Sequence, residues 1–354
     1  MVTDLLDPMY AEPEEALEPR LVEAIQPFRG LALACALHAS FDRGVYDALD
    51  EAPRDVESLA ADLSVDAERL DALLLFLNVE GVVAYRRGGL ATLTQRGREY
   101  GVFRAWYEML VGGYAGVFAH LSEGLAGAAS TPPRRGASVA RGSAGVSLLC
   151  SLPLVRRLLA QLPAPPNLIL DVGCGSPEYL ARICDEQGCT GIGLEPDPDA
   201  VQAGREALAS RPSSAPLVRV EQASAQTAAP ALNDQPDLVL TAFVLHEVLG
   251  QDGERGVRAY LRTLRELAPA AHLLVIEVDW RPDDPSVMRH GYANGYYNGY
   301  YLLHPFTHQR LAPQASWEAL FASEGMEIVA HGTTDETVDS TGLELGWLLR
   351  ASTV

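Results

Sequence analysis

Residues 168–180, reading LILDVGCGSPEYL, constrain this chain more than any other stretch. Leu168, Ile169 and Leu170 predict a short buried strand, and Asp171 follows before a turn holding Gly173 and Gly175. A glycine there lets the backbone take positive φ and approach a ligand closely. Ala181, Arg182 and Ile183 then continue as a helix. The loop therefore lies between a strand end and a helix N-terminus, where unpaired N–H groups collect. It reads as a cofactor crevice.

The departures from a dinucleotide fingerprint say which cofactor. A nicotinamide site wants G-x-G-x-x-G with its pyrophosphate on the helix N-terminus. Here the run is D-x-G-x-G-S-P, with an acid two residues before the first glycine. An anion in that place suits an amino group and a sulfonium better than phosphates. The run resembles the first motif, (D/E)-x-G-x-G, of the class I S-adenosylmethionine-dependent methyltransferases. The segment GIGLEPD at 191–197 resembles their second motif, and the resemblance makes Glu195 the acceptor of the ribose hydroxyls. It implies S-adenosylmethionine held by Asp171, Gly173, Gly175, Glu195 and Pro196. Pro177 stands where many members carry a third glycine.

With 354 residues, two domains are expected. Against 47 acidic residues stand 27 basic ones, a formal charge of −20, which disfavours nucleic acid and anionic membranes as partners. Five cysteines without a C-x-x-C suggest a reduced, cytoplasmic setting. There is no signal-like start or membrane-length apolar run, so a soluble protein is expected. Residues 1–19 read as a flexible acidic tail, 20–102 as a winged-helix domain, and 103–162 as a helical linker and wall of the substrate pocket. Residues 163–354 read as a Rossmann-like methyltransferase domain with a tyrosine-rich insertion at 280–310. The fold class is thus α/β, a Rossmann-like class I methyltransferase domain preceded by a mainly helical winged-helix domain.

Within 56–77 the pattern is helix-turn-helix, and the apolar runs at 81–85 and 90–94 form a two-stranded wing. The second helix carries Glu68, Asp71 and only Arg69, a poor surface for phosphates. The region resembles the winged-helix module of small-molecule O-methyltransferases, which implies a homodimer. Residues 106–118 read as one helix. The Ala/Gly/Ser/Pro-rich stretch 124–145 reads as a long loop whose Arg134, Arg135 and Arg141 are more naturally solvated than ligand-binding. Strands near Leu168, Gly191, Leu217, Asp237 and Leu273 alternate with helices, the pattern of a doubly wound parallel sheet closed by a hairpin at 327–330 and 343–349.

The strand at 237–245 delivers His246 and Glu247 to the sheet edge where ligands bind. O-methyltransferases end a similar strand in Leu-His-Asp, whose histidine can be the general base. His246 matches it, with Glu247 for the aspartate, and an imidazole titrates near neutrality. The segment 288–304, MRHGYANGYYNGYYLLH, is either an interface cluster or a lid whose rings can face a cation.

Together, WYEMLVGGYA (106–115), FVLHEVLGQ (243–251), MRHG (288–291) and YYLLH (300–304) resemble the 2-ketoarginine methyltransferases, part of a wider group of 2-keto acid C-methyltransferases. The resemblance implies methylation at C3 of 5-guanidino-2-oxopentanoate, toward a β-methylated amino acid for natural-product biosynthesis. Catalytic candidates are His246, Glu247 and His304. It also implies an optional metal, iron or zinc, on His246 and His304, with His290 and His308 as weaker candidates. The base would then be a bound hydroxide or a carboxylate such as Glu247 or Asp279. Asp279, Asp283, Glu344 and the tyrosines are candidates for the guanidinium. Two alternatives stand beside this: an O-methyltransferase for a phenol or other hydroxyl compound, and a non-catalytic winged-helix regulator binding S-adenosylmethionine.

Overall fold

The computed structural model describes residues 17–127, 134–212, 215–228 and 235–352. It divides into two compact units, 1–107 and 108–354.

In the first unit helices precede or flank a small hairpin, among them α1 (Leu17–Ala24), α2 (Gln26–Asp42), α3 (Val45–Glu51), α4 (Val56–Leu63), α5 (Ala67–Val79) and α6 (Gln95–Val102). Asp55 caps α4 by accepting from Ser58 N at 2.9 Å, and Asp66 caps α5 by accepting from Arg69 N at 2.9 Å. Each satisfies an otherwise orphaned N–H of the first turn. Between them Ser64 takes φ 53°, which reverses the chain in one residue. The wing is shorter than expected: β1 (Val83–Ala84) pairs antiparallel with β2 (Thr92–Leu93). Leu37, Leu59, Leu70, Leu74, Leu77 and Leu93 form its core. The tail expected at 1–19 lies outside the described residues up to 16, and Leu17 already begins α1.

The second unit is built on seven strands in the order β5-β4-β3-β6-β7-β9-β8. They are β3 (Leu168–Val172), β4 (Thr190–Glu195), β5 (Val218–Gln222), β6 (Leu238–Ala242), β7 (His272–Val278), β8 (Met326–Thr333) and β9 (Glu344–Ala351). The first five run parallel, and β9 is antiparallel to both β7 and β8. Helices α7 (Gly136–Leu149), α8 (Ser151–Leu159), α9 (Glu178–Gln187), α10 (Pro198–Ala209), α11 (Leu245–Leu267), α12 (Asn298–Leu303) and α13 (Gln314–Ser323) accompany the sheet. One sheet face packs Val239, Val275, Leu345 and Trp347 with α11 and α13; the other packs Leu240, Leu274, Ile276 and Leu348 with α8 and α9. Strands buried on both faces explain the unbroken apolar runs. Among the described residues no single helix is long and apolar enough to cross a membrane.

The unit boundary falls after Tyr107, and α7 and α8, within the stretch 103–162, pack in the second unit. Two expectations need correction. The supposed loop at 124–145 is α7 from Gly136 onward. Its small residues serve close packing, since a Cβ on Gly142 would sit 2.4 Å from Met109 N. Residues 106–118 are not one helix: a π-helical turn at Glu108–Gly113 separates short α-helical pieces.

Candidate active site

The chain order of the parallel strands reverses between β3 and β6, and the crevice at their carboxyl ends is where ligands settle in such sheets. It measures about 760 Å³, within the roughly 300–1,000 Å³ of small-molecule sites. Asp171, Gly173, Gly175, Glu195 and Pro196 all line it. Gly173 takes φ 80° and any Cβ there would meet Val244 Cγ2 at 2.6 Å. Only glycine lets the loop close this tightly. Glu195 ties the loop from the end of β4: its Oε2 accepts from Gly175 N and its Oε1 from Asp197 N, both at 2.9 Å.

Asp171 is 3 % exposed, and burial, reinforced by Glu195, pushes its carboxyl up to about 8. Burial also raises Glu195, against the pull of the two amides. Two acids crowded in a partly dry cleft suit a ligand that brings positive charge. The donor set therefore fits the sulfonium and ammonium of S-adenosylmethionine.

Beside the crevice, β6 passes into α11 through Phe243, a non-glycine residue at φ 58°. Such strain, on the order of 1–3 kcal/mol, persists where surroundings enforce it, commonly at functional sites. The turn delivers His246 into the first turn of α11, 1 % exposed. Glu277 of β7, fully buried, takes both donors of that residue: Oε1 accepts from His246 N at 3.1 Å and Oε2 lies 2.9 Å from Nδ1. Burial lowers the affinity of His246 for a proton, but Glu277 outweighs it and the net shift is upward. On the other side of the ring, Nε2 lies 3.4 Å from Gln309 Nε2.

Glu247 lines the crevice, and its Oε1 accepts from Arg134 Nη1 at 2.6 Å and from Gln309 Nε2 at 2.9 Å. Burial favours its protonation, yet Arg134 wins and holds the carboxyl below its ordinary range. Arg134 is thus an ion-paired crevice residue and not the solvated charge expected.

His304 joins this centre, its ring 5.0 Å from that of His246. Its Nδ1 lies 2.7 Å from Tyr300 O, while Nε2 is buried without a hydrogen-bond partner. Burial, then the neighbouring His246, push it down to about 3, so it stays neutral. Tyr300 meets His304 edge-on at 4.3 Å.

Other candidates go elsewhere. His290 and His308 are exposed, and His290 Nε2 lies 3.0 Å from Ser340 Oγ. Asp279 accepts from Gln314 N at 2.8 Å, at the start of α13, and Asp283 is exposed. Among the described residues no group of three or more His, Cys, Asp or Glu could hold a metal ion; His246 and His304 form only a pair.

Sequence reasoning missed Glu277 and Gln309, and it set Arg134 aside as solvated. Glu277 carried a signal, an acid within the otherwise apolar run LLVIEV, which burial obliges to find a partner. Gln309 carried none.

A family model described as a methyltransferase domain matches residues 148–331. A 2-ketoarginine methyltransferase from Streptomyces arginensis is 41% identical over 337 residues, 95% of this chain and 97% of its own. An indolepyruvate C-methyltransferase from Streptomyces griseus is 31% identical over 175 residues, 49% of this chain and 50% of its own. The crystal structure of human N-acetylserotonin methyltransferase in complex with SAM superposes with a TM-score of 0.65 at 17% identity, covering 97% of this chain and 100% of that one. It shares the fold.

Proposed function

The chain belongs to the methyltransferase family, and from that premise we propose that it is an S-adenosylmethionine-dependent C-methyltransferase acting at C3 of a 2-keto acid, 5-guanidino-2-oxopentanoate. S-adenosylmethionine, when bound, supplies an electrophilic methyl group on sulfur. Asp171 and Glu195 face its positive charge and its ribose hydroxyls, and the Gly173–Gly175 turn admits it closely. His246 Nε2 is the proton acceptor at C3. A carboxylate at Glu277 accepts only, so it keeps the proton on Nδ1, leaves Nε2 as the unprotonated nitrogen with Gln309 Nε2 3.4 Å away, and stabilises the imidazolium once the C3 proton arrives. Loss of that proton places negative charge on the keto oxygen of the enolate, which Arg134 can meet with guanidinium N–H groups beyond the one it gives to Glu247.

The observation that carries this reading is the buried His246–Glu277 pair beside the donor crevice, in a chain resembling 2-ketoarginine methyltransferase along nearly its whole length. The test is transfer from a donor labelled in its methyl carbon to 5-guanidino-2-oxopentanoate, followed by NMR. A labelled methyl coupled to one C3 proton is expected. An O-methyl signal on catechol-type acceptors with no keto acid product would favour the hydroxyl-methylating alternative, and donor binding without turnover the regulatory one.

A second reading rests on the unpartnered His304 Nε2. A metal ion would take its two protein ligands from His246 Nε2 and His304 Nε2, because each Nδ1 is engaged, by Glu277 and by Tyr300 O. It would act as a Lewis acid for the keto oxygen, and Glu247 would inherit the proton. Elemental analysis of protein without a histidine tag decides, about one equivalent favouring the metal.

Two properties complete the proposal. Exposed Leu17, Leu21, Val22, Ile25, Phe28 and Leu31 on α1 and α2 support a homodimer formed through the first unit, and five unbridged cysteines suit a reducing cytoplasm.

A further inference from the structure

In the free protein the proposed base is covered. His246 is 1 % exposed, and it lines neither the crevice nor a second cavity, of about 240 Å³, where α11 and α13 meet the chain between them. At its Nε2 stands the buried side chain of Gln309, with Nε2 3.4 Å away. A general base has to come within about 2.6–3.2 Å of the group whose proton it takes. C3 of an acceptor and this amide therefore cannot share the place.

Three neighbours set the direction of the amide. Glu247, paired with Arg134, accepts only, so the end of Gln309 that lies 2.9 Å from its Oε1 is the NH₂. The carbonyl end then accepts from Thr307 Oγ1 at 2.8 Å. The second amide hydrogen is left facing His246 Nε2, and it covers a lone pair that burial would otherwise strand. The backbone carrying the amide is fixed as well. Gln309 N donates to His304 O at 3.0 Å, and Arg310 N donates to His246 O at 2.9 Å. A Cβ on Gly250 would sit 2.2 Å from His308 O and 2.6 Å from Gln309 Cα, so this loop already touches α11. The side chain, by contrast, has room. Gln309 and His304 line the 240 Å³ cavity with Leu249 and Leu320, and Glu254 and Ser316 on its wall offer polar partners. Its volume is several times the roughly 30 Å³ that one water molecule takes up in the liquid, enough for a primary amide.

Resting on the 2-keto acid reading above, we infer that the Gln309 side chain is a gate over the base: the keto acid displaces its amide from Glu247 and His246, and the amide turns into the 240 Å³ cavity. Gln309 is thus a positioning residue and takes no part in the bond changes. Part of the acceptor's binding free energy goes into breaking the Gln309–Glu247 bond before C3 reaches Nε2.

The experiment measures methyl transfer to 5-guanidino-2-oxopentanoate by the full-length enzyme and by Gln309→Ala, which leaves no amide to displace. In the variant KM for the keto acid falls by roughly tenfold, the lower end for a hydrogen bond to a charged group that no longer has to break. Donor affinity moves by about twofold or less. A lowered KM is not what a merely structural role for Gln309 would give. An unchanged KM overturns the inference, and so does a raised one, which would mean that the amide binds the acceptor. Should the variant not fold, a crystal structure of the native enzyme with the keto acid and S-adenosylhomocysteine decides. Gln309 Nε2 beyond hydrogen-bond reach of Glu247 supports the gate; the contacts kept at 2.9 Å to Glu247 and 3.4 Å to His246 overturn it. A native enzyme that methylates no 2-keto acid overturns the parent reading and this one together.

Discussion

Glu277→Gln isolates the role of the anion behind His246. The two donors that Glu277 holds are unlike: the backbone N–H of His246 cannot change its character, whereas the imidazole can. An amide in place of the carboxylate must turn its oxygen toward the backbone N–H, which leaves its NH₂ facing Nδ1. Nδ1 then becomes the acceptor, the ring proton moves to Nε2, and the proposed base loses its lone pair. Loss of positioned general-base catalysis removes about 10²–10⁴ in kcat. Loss of the charge-assisted bond costs about 1.5–3 kcal/mol of stability. With Glu277 gone, burial, the largest influence on His246, loses its main opponent, so the affinity of His246 for a proton falls. Donor binding, which the proposal assigns to Asp171 and Glu195, changes by about twofold or less, as for independent sites. Single-turnover methylation with chemical denaturation and donor titration measures all three. A kcat within about threefold of the native value, well short of a lost general base, would refute the reasoning.

Three other outcomes are expected. Asp171 lies near 8 in the free protein, so a cationic donor draws its proton off on binding. Affinity then rises with pH up to about 8, by at most about tenfold per unit, and calorimetry in two buffers of different ionisation heat detects the released proton; Asp171→Asn abolishes the release. Gly173→Ala forces alanine to φ 80° and sets its Cβ 2.6 Å from Val244 Cγ2, so donor affinity falls and stability drops by about 1–3 kcal/mol, seen in denaturant midpoints. His304 is depressed to about 3, so between its unfolded value near 6.5 and that pH the unfolded chain binds the extra proton and stability falls as pH falls. The slope is at most about 1.4 kcal/mol per pH unit, and denaturant midpoints at pH 7 and 5 flatten in His304→Asn.

The parallel sheet was legible because strands buried on both faces are written as apolar runs, and its crevice because Asp171 and Glu195 stand in the last residues of their strands. His246 was legible for the same reason, standing just past β6. α7 was not, because glycines and serines chosen for close approach to the π-helical turn have the composition of a loop. The assignment of the acids was also hidden. Glu277, Asp279 and Glu344 look interchangeable in sequence, and only pairing across β7 and β9 separates a partner of His246 from a helix cap and a cation-free carboxylate. Arg134 acquires its meaning from Glu247, 113 residues away.

The central claim is that His246, held by Glu277, removes a proton from C3 of a 2-keto acid. It is tested most directly by following the C3 hydrogens of 5-guanidino-2-oxopentanoate by NMR in heavy water, with S-adenosylhomocysteine in place of the methyl donor. The native enzyme should wash deuterium into C3 far faster than buffer, and His246→Gln should not. Equal exchange by the two proteins would contradict the account.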